Sequence, residues 1–243
     1  MTSTLSKIAR TDFVGNMIRT LFQGRLTFHN STLDVRSKKI RGRLIPLILF
    51  EKYEKEEIRL LKDHLQMDLD VIELGSSIGG VSTVLGSLTS AKVYCYEANP
   101  DLIDILSHNL RINGLLDHTS VHYAAVSTSN TSEVFFNPRE SSELGKLSDD
   151  ANEGTAVPAT SVKKIVDEKG LKSFALVADI EGSEAAFILG EPESLEGCKQ
   201  LFIELHNCSW EGKEYTAEDL KNEICELGFT CIESIGTNHV FIK

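Results

Sequence analysis

A short apolar segment followed by closely spaced glycines constrains this chain more than any other feature. Residues 71–74 (VIEL) are short and apolar enough for a buried parallel strand, and we expect Gly75 to turn the chain without a Cβ in the way of a ligand. A second apolar run ends at Glu97, at the spacing of about 20 residues that places an acid beside a ribose. The pattern predicts half of a nucleoside-binding site.

The spacing of the glycines separates two classes of nucleoside cofactor. Dinucleotide sites use G-x-G-x-x-G, in which the middle glycine admits a pyrophosphate onto a helix N-terminus. Ser77 occupies that middle position here, and Glu73 adds an acid within the strand end. An acid suits a cofactor with a cationic sulfonium and an amino-acid tail. The motif therefore favours S-adenosyl-L-methionine over NAD, and a glycine-rich turn of some other α/β protein is the alternative.

The net charge of the chain limits the classes of molecule that it is expected to bind. The chain has 243 residues and a formal net charge of −11, which argues against a groove built to neutralise phosphates. We therefore expect no nucleic-acid partner. Five basic residues between Arg36 and Arg43 form a local exception. We interpret them as a solvated loop face, with binding of an acidic glycan or a carrier phosphate as the alternative.

Cysteine usage and hydropathy predict a cytoplasmic protein. The five cysteines are odd in number, lack a C-x-x-C pair and lie mostly in apolar segments, as reduced core residues do. The longest apolar run near the start, residues 44–50, is far shorter than a membrane span. Residues 1–24 lack the apolar core of a signal peptide, and we predict a helical cover there. An organelle-targeting peptide is the weaker alternative.

Strands and helices alternate along the chain, which predicts an α/β fold with a doubly wound sheet. We divide the chain into an N-terminal helix and β-hairpin decoration (residues 1–50) and a main domain (residues 51–243). A Gly-Thr-Asn turn at 236–238 predicts a terminal hairpin and one antiparallel edge strand. Residues 127–154 are polar and predict a mobile excursion that could contact a substrate. The strands that we expect in the main sheet are residues 71–74, 94–97, 120–126, 174–179 and 200–206.

Several predicted strands end in acids, namely Glu73, Glu97, Asp179 with Glu181, and Glu204 with His206. Ligands of open α/β sheets bind beyond the carboxyl ends of the strands, so we expect these side chains to meet. If the ligand carries a reacting alcohol, a general base contributes about 10²–10⁴-fold to the rate. Asp179 is one candidate, because partial burial would raise its pKa. His206 is the other, unless it is a hydrogen-bonded histidine that shapes the pocket.

A metal site is the alternative use of the same residues. Asp179, Glu181 and His206 offer oxygen and imidazole ligands that divalent cations accept. No helix-spaced pair of ligands accompanies them in the sequence. We therefore predict catalysis without a bound metal.

The combination of motifs resembles one known family. The segments concerned are YEKEE (53–57), VIELGSSIGG (71–80), YEANPDLIDILSHNLRINGL (96–115), AAVS (124–127), ADIEGSEAAFILG (178–190) and IELH (203–206). Over roughly residues 50–243 the chain resembles the FkbM family of S-adenosylmethionine-dependent methyltransferases. The resemblance implies a class I methyltransferase (Rossmann-like) fold with a mostly parallel seven-stranded sheet. It also implies O-methylation of a hydroxyl of a sugar, glycan or glycosylated metabolite.

The resemblance implies roles for individual positions. Asp179, Glu181 and His206 are the predicted catalytic residues, with Asp179 and Glu181 in the D-x-E-G block. The loop departs from the family's usual Asp-x-G-A-N-x-G, and loss of the Asn removes one hydrogen bond worth about 0.5–1.5 kcal/mol. Two other functions remain open: a cofactor-binding protein without catalysis, and a nicotinamide oxidoreductase, which Ser77 disfavours. The predicted cofactor contacts are Glu73, Gly75, Ser76, Ser77, Gly79, Glu97, Ala98, Asn99, Ala124 and Ala125.

Overall fold

A computed structural model describes residues 11–137, 146–148 and 154–243. The N-terminal part contains helix α1 (Asp12–Leu21), a hairpin of β1 (Arg25–Phe28) and β2 (Ser31–Asp34), and helices α2 (Ile45–Leu49) and α3 (Lys55–His64). The hairpin was predicted, and so was a helical cover, although residues 1–10 lie outside the described part. Apolar side chains of both hairpin strands are buried in the same core as those of the main sheet and its helices.

The glycine motif lies within the first of two strand–helix units. Strand β3 (Asp70–Leu74) is followed by helix α4 (Gly80–Leu88), and β4 (Val93–Glu97) by α5 (Pro100–Ile112). The sequence Asn99-Pro100-Asp101 predicts a helix start, and helix α5 begins there. The Asn99 side chain accepts a hydrogen bond from the Asp101 amide, and a proline follows the cap.

The predicted strand over residues 120–126 is divided between two sheets. Strand β5 (Thr119–Tyr123) joins the main sheet, whereas β6 (Ala125–Val126) belongs to a separate four-stranded sheet. That sheet also contains β7 (Glu133–Asn137), β8 (Lys146–Ser148) and β9 (Thr155–Thr160). The predicted excursion at 127–154 is therefore partly β structure where it is described, because alternate residues of β7 are buried. The remainder, 138–145 and 149–153, lies outside the described residues.

The second half of the chain supplies the rest of the main sheet. Helix α6 (Val162–Lys169) and strands β10 (Phe174–Ala178) and β11 (Cys198–Glu204) follow in order. The sequence of residues 183–189 predicts a helical segment, but the structure has only a short π-helical turn there, Ala186–Gly190. A small hairpin and a helix with a Thr216–Asp219 capping box precede the C-terminal hairpin. These elements are β12 (Cys208–Trp210), β13 (Lys213–Tyr215), α7 (Ala217–Glu226), β14 (Thr230–Ile235) and β15 (Asn238–Ile242).

The main sheet has seven strands in the order β14-β15-β11-β10-β3-β4-β5. Strands β11, β10, β3, β4 and β5 run parallel, and β15 pairs antiparallel with β11. This confirms the predicted fold class, with one correction. The antiparallel strand lies one position inside the edge, because β15 is buried along three successive residues, whereas residues of β14 alternate between exposed and half-buried. No helix among the described residues is long and apolar enough to cross a membrane.

Candidate active site

The carboxyl ends of the central strands border a cavity of about 700 Å³. Ten predicted site residues line it, whereas Gly79, Asn99 and His206 do not. The lining residues that we predicted are Glu73, Gly75, Ser76, Ser77, Glu97, Ala98, Ala124, Ala125, Asp179 and Glu181. The topology therefore brings most of the predicted set to one place.

Gly75 lies where the ends of β3 and β10 touch. Its φ is +88°, and a Cβ built on it would lie 2.0 Å from the carbonyl oxygen of Asp179. The Asp179 amide donates a hydrogen bond to the Leu74 carbonyl at 3.1 Å, which holds the two strand ends together. Glycine is therefore required here by the backbone of β10. The sequence-based reason, room for a ligand, does not describe this contact.

Gly79 and Asn99 shape the backbone that flanks the cavity. Gly79 has a φ of +86° at the start of α4, and a Cβ there would come within 2.9 Å of the Leu106 side chain. The Asn99 amide donates to Glu97 Oε1 at 2.6 Å. Close packing and helix capping thus explain these two residue types without a ligand contact.

The Glu97 carboxylate is fixed by two backbone amides. The Ser77 amide donates to Oε2 at 2.7 Å, and the Asn99 amide donates to Oε1. Ser77 adopts a left-handed φ of +49°, in a loop conformation that L-residues rarely adopt. Burial raises the pKa of Glu97 to about 7, although these hydrogen bonds offset part of the effect. Each oxygen keeps a further lone pair with which to accept a hydroxyl group.

The buried carboxylate of Glu73 is held by neighbouring side chains. Oε2 accepts hydrogen bonds from the hydroxyls of Ser76 at 2.9 Å and Ser82 at 2.6 Å. Oε1 is buried as well. Burial raises the pKa of Glu73. The Cys95 thiol also interacts with this carboxylate, so a polar network fixes the acid at the wall of the cavity.

A second group of acids lines the cavity on the β10 side of Gly75. We call it the acidic cluster, and it consists of Glu54, Asp179, Glu181 and Glu204. Burial raises the pKa of Glu54 to about 7, and the charges of Glu204 and Glu181 add to the effect. Burial also raises the pKa of Asp179 well above its usual range, again with a contribution from Glu204. These carboxylates are therefore more basic than exposed ones.

His206 lies beside the acidic cluster and is held by another acid. Its Nδ1 is 3.2 Å from Oε1 of the fully buried Glu184. This hydrogen bond, with the nearby charges of Asp179 and Glu181, raises the pKa of His206 to about 9. The imidazole is then protonated at neutral pH and has no free lone pair. The geometry favours a histidine that shapes the pocket over a general base.

The structure adds lining residues that the sequence analysis did not select. The sequence predicts an amphipathic helix over residues 54–66 with acids in its first turn, and two of these acids, Glu54 and Glu57, line the cavity. The Tyr53 hydroxyl donates to Ser77 Oγ at 3.3 Å. Their segment, YEKEE, was part of the family resemblance and was the available signal. Phe136 of β7 also lines the cavity, and its position within a polar stretch gave no signal in the sequence.

Solved structures of similar fold share little sequence with this chain. A protein of the NADB-Rossmann superfamily from Streptococcus agalactiae is 9% identical, with a TM-score of 0.45, over 77% of this chain and 66% of that one. A putative transferase from Pyrococcus horikoshii is 15% identical, with a TM-score of 0.46, over 90% and 69%. The ribosomal protein L11 methylase of Lactobacillus delbrueckii subsp. bulgaricus is 10% identical, with a TM-score of 0.44, over 78% and 77%.

Sequence comparison gives a more specific result. The hexuronic acid methyltransferase AglP of Haloferax volcanii is 23% identical over 154 residues, which are 63% of this chain and 62% of AglP. The chain thus spans less than two thirds of the length of this relative. The sequence model of the methyltransferase FkbM domain matches residues 75–231, which is more than half of the chain. The chain therefore belongs to the FkbM methyltransferase family, as its motifs predicted.

Proposed function

We propose that this methyltransferase uses S-adenosyl-L-methionine to methylate a hydroxyl of a sugar, a glycan or a glycosylated metabolite. The observation that carries the proposal is the division of one cavity into two parts on either side of Gly75. One part contains Glu73 and Glu97, and the other contains the acidic cluster. The name of AglP, a hexuronic acid methyltransferase, supports a carbohydrate acceptor.

The residues of the first part fit the proposed cofactor. Glu97 would accept the two hydroxyls of the ribose, because its carboxylate is already oriented by two amides. The buried carboxylate of Glu73 would face the cationic end of the cofactor. Ala124 and Ala125 line the cavity with small side chains that leave room for the adenine. When bound, the cofactor supplies an electrophilic methyl group.

The residues of the second part fit an alcohol acceptor. Asp179 would accept the proton of the acceptor hydroxyl as the new oxygen–carbon bond forms, since a carboxylate with a raised pKa is a stronger base. Glu181 would orient the acceptor through a further hydrogen bond. In the unliganded protein His206, held by Glu184, would be protonated and would balance part of the negative charge. Alignment of the two reactants in a dry cavity would contribute most of the remaining acceleration.

The charge of the cavity supports a carbohydrate rather than a nucleic acid as the acceptor. The acidic cluster would repel a phosphate backbone, in line with the net charge of −11. Arg43 and Lys52 also line the cavity, and they would suit a sugar that carries a carboxylate. All five cysteines are free, which supports the expected reducing, cytoplasmic location.

Two measurements test the proposal. Calorimetry with S-adenosylhomocysteine and with NAD examines the cofactor, and we expect binding of the first alone. Binding of NAD alone would instead favour an oxidoreductase. Transfer of a labelled methyl group into cell extracts, separated into glycan, lipid and small-molecule pools, examines the acceptor. We expect label in a carbohydrate-containing pool. Stable cofactor binding with no transfer to any pool would favour a binding protein without catalysis.

A further inference from the structure

The acidic cluster brings four carboxylates together at one end of the cavity. The described ion pairs at this end of the cavity all involve one cation, His206. Its Nε2 lies 4.0 Å from Asp179 Oδ1, 3.8 Å from Glu181 Oε2 and 3.9 Å from Glu204 Oε1. These separations exceed the length of a hydrogen bond, so a protonated imidazole does not satisfy any of the three oxygens.

The same atoms have the spacing of ligands around one ion. The ligand atoms of Asp179, Glu181 and His206 all lie within 4.8 Å of one another, and so do those of Glu54, Asp179 and Glu204. Two ligand atoms at about 2.0–2.4 Å from a shared ion lie about 3–4.5 Å apart, depending on the angle between them. Asp179 belongs to both sets. One ion beside Asp179 therefore reaches ligands of both sets with small side-chain adjustments.

Two buried oxygens independently indicate a missing positive partner. Asp179 Oδ1 is buried and accepts no hydrogen bond from any described residue. Glu184 is fully buried, and its Oε2 likewise has no partner among the described residues. Its Oε1 accepts the Ile180 amide at 3.2 Å and contacts His206 Nδ1. A carboxylate that holds one ring nitrogen while the other faces acidic oxygens is the arrangement around metal-binding histidines.

We propose that the acidic cluster and His206 form a binding site for a divalent cation such as Mg²⁺ or Mn²⁺. Asp179 is the shared ligand, and Glu54, Glu181 and Glu204 supply further oxygens. His206 would complete the set through Nε2 once the ion has displaced the proton on that nitrogen. An oxygen-rich set with one imidazole suits these hard cations. The sequence-based expectation was catalysis without a bound metal. Glu54, which directly precedes α3 and is distant in sequence from the other ligands, was not part of that reasoning. Use of the ion in catalysis rests on the proposed function: the ion would polarise the acceptor hydroxyl beside Asp179.

Titration with Mn²⁺ alone tests the site on the full chain. The protein is treated with EDTA, desalted and titrated without cofactor or acceptor, and the resonance signal of free Mn²⁺ is recorded. We expect saturable binding of one ion per chain that Mg²⁺ displaces. Asp179→Asn and Glu204→Gln should each weaken binding at least tenfold. Glu233→Gln is the matched control, because Glu233 also contacts a histidine, His64 at 2.6 Å, but stands outside the acidic cluster.

Three outcomes would overturn the proposal. The first is a dissociation constant for Mn²⁺ above about 1 mM. The second is equal affinity for Mn²⁺ in the two cluster variants and the control. The third is weak binding of more than one Mn²⁺ ion per chain. Circular dichroism checks that the variants fold, and Glu54→Gln, at the edge of the site, replaces any variant that does not. S-adenosylhomocysteine calorimetry on the same samples separates the two proposals. If the protein binds S-adenosylhomocysteine but not Mn²⁺, only the metal site is contradicted. If it binds neither, the proposed function is contradicted as well.

Discussion

Replacing Gly75 by alanine tests whether the two halves of the cavity are joined through the backbone. A methyl group at this position would lie 2.0 Å from the carbonyl oxygen of Asp179, where ordinary contact begins at 3.4 Å. The oxygen cannot move away easily, because the amide of the same residue is bonded to the Leu74 carbonyl. We therefore expect the strand ends of β3 and β10 to separate in this variant.

The magnitude follows from two contributions. Gly75 has a φ of +88°, and an alanine in this left-handed region costs about 1–2 kcal/mol. Overpacking against a backbone atom adds about 1–3 kcal/mol. Gly114 provides a matched control, because its φ is +70° and nothing lies within 4 Å of an added Cβ. Gly75→Ala should therefore lower the free energy of unfolding by about 2–5 kcal/mol, and Gly114→Ala by about 1–2 kcal/mol.

Urea unfolding followed by circular dichroism measures both variants, with the m-value checking that the transitions are comparable. A difference in unfolding free energy below about 0.5 kcal/mol between the two variants would refute the reasoning, since the overlap would then cost nothing. Calorimetry with S-adenosylhomocysteine adds a functional readout. We expect the affinity to fall in Gly75→Ala, because the cofactor loop that follows Glu73 is displaced, and to stay unchanged in Gly114→Ala.

Three further predictions concern the acids of the cavity. Glu97→Gln should weaken S-adenosylhomocysteine binding at least tenfold in calorimetry, because a charge-assisted contact contributes about 1.5–3 kcal/mol; an unchanged affinity would exclude the ribose role. Since burial raises the pKa of Glu97 to about 7 and the ionised form binds, the affinity of the unmodified protein should fall up to tenfold per pH unit below 7. It should be level above pH 8, and the Glu97→Gln variant should lack this dependence. Asp179→Asn should reduce methyl transfer by about 10²–10⁴-fold while cofactor affinity changes less than threefold, and full turnover would remove Asp179 as the base.

The elements that could be predicted are those whose own sequence shows a clear hydrophobic pattern. The core strands β3 and β10 are continuous apolar runs, which buried parallel strands require, and both were recognised. Strand β7 was missed because its two buried side chains lie within a polar stretch, and its partner β9 is distant in sequence. The inner position of β15 depends on how its three buried residues pack against β11, which local pattern does not reveal.

The same difference between local sequence pattern and packing of distant segments applies to the residues of the site. Acids at the ends of parallel strands were expected to meet, because the topology places those ends at one edge of the sheet. The protonation of His206 was not predictable, since it depends on Glu184, a fully buried acid in a segment that the sequence describes only as helical. Glu54 reaches the cavity from α3, with a left-handed φ of +45° before the helix. Such contacts arise from packing between distant segments.

The parallel core strands set the distance between the proposed cofactor side and the proposed acceptor side of the cavity. Leu74 is paired with Ala178, so Gly75 and Asp179 follow at equivalent positions on neighbouring strands, about 4.8 Å apart. Backbone hydrogen bonds therefore set the separation between the cofactor loop and the acidic cluster. Phe136 and the turn at 236–238 line the same cavity from elements outside this parallel core. Changes in these outer elements would alter the shape offered to an acceptor without disturbing the alignment that methyl transfer requires.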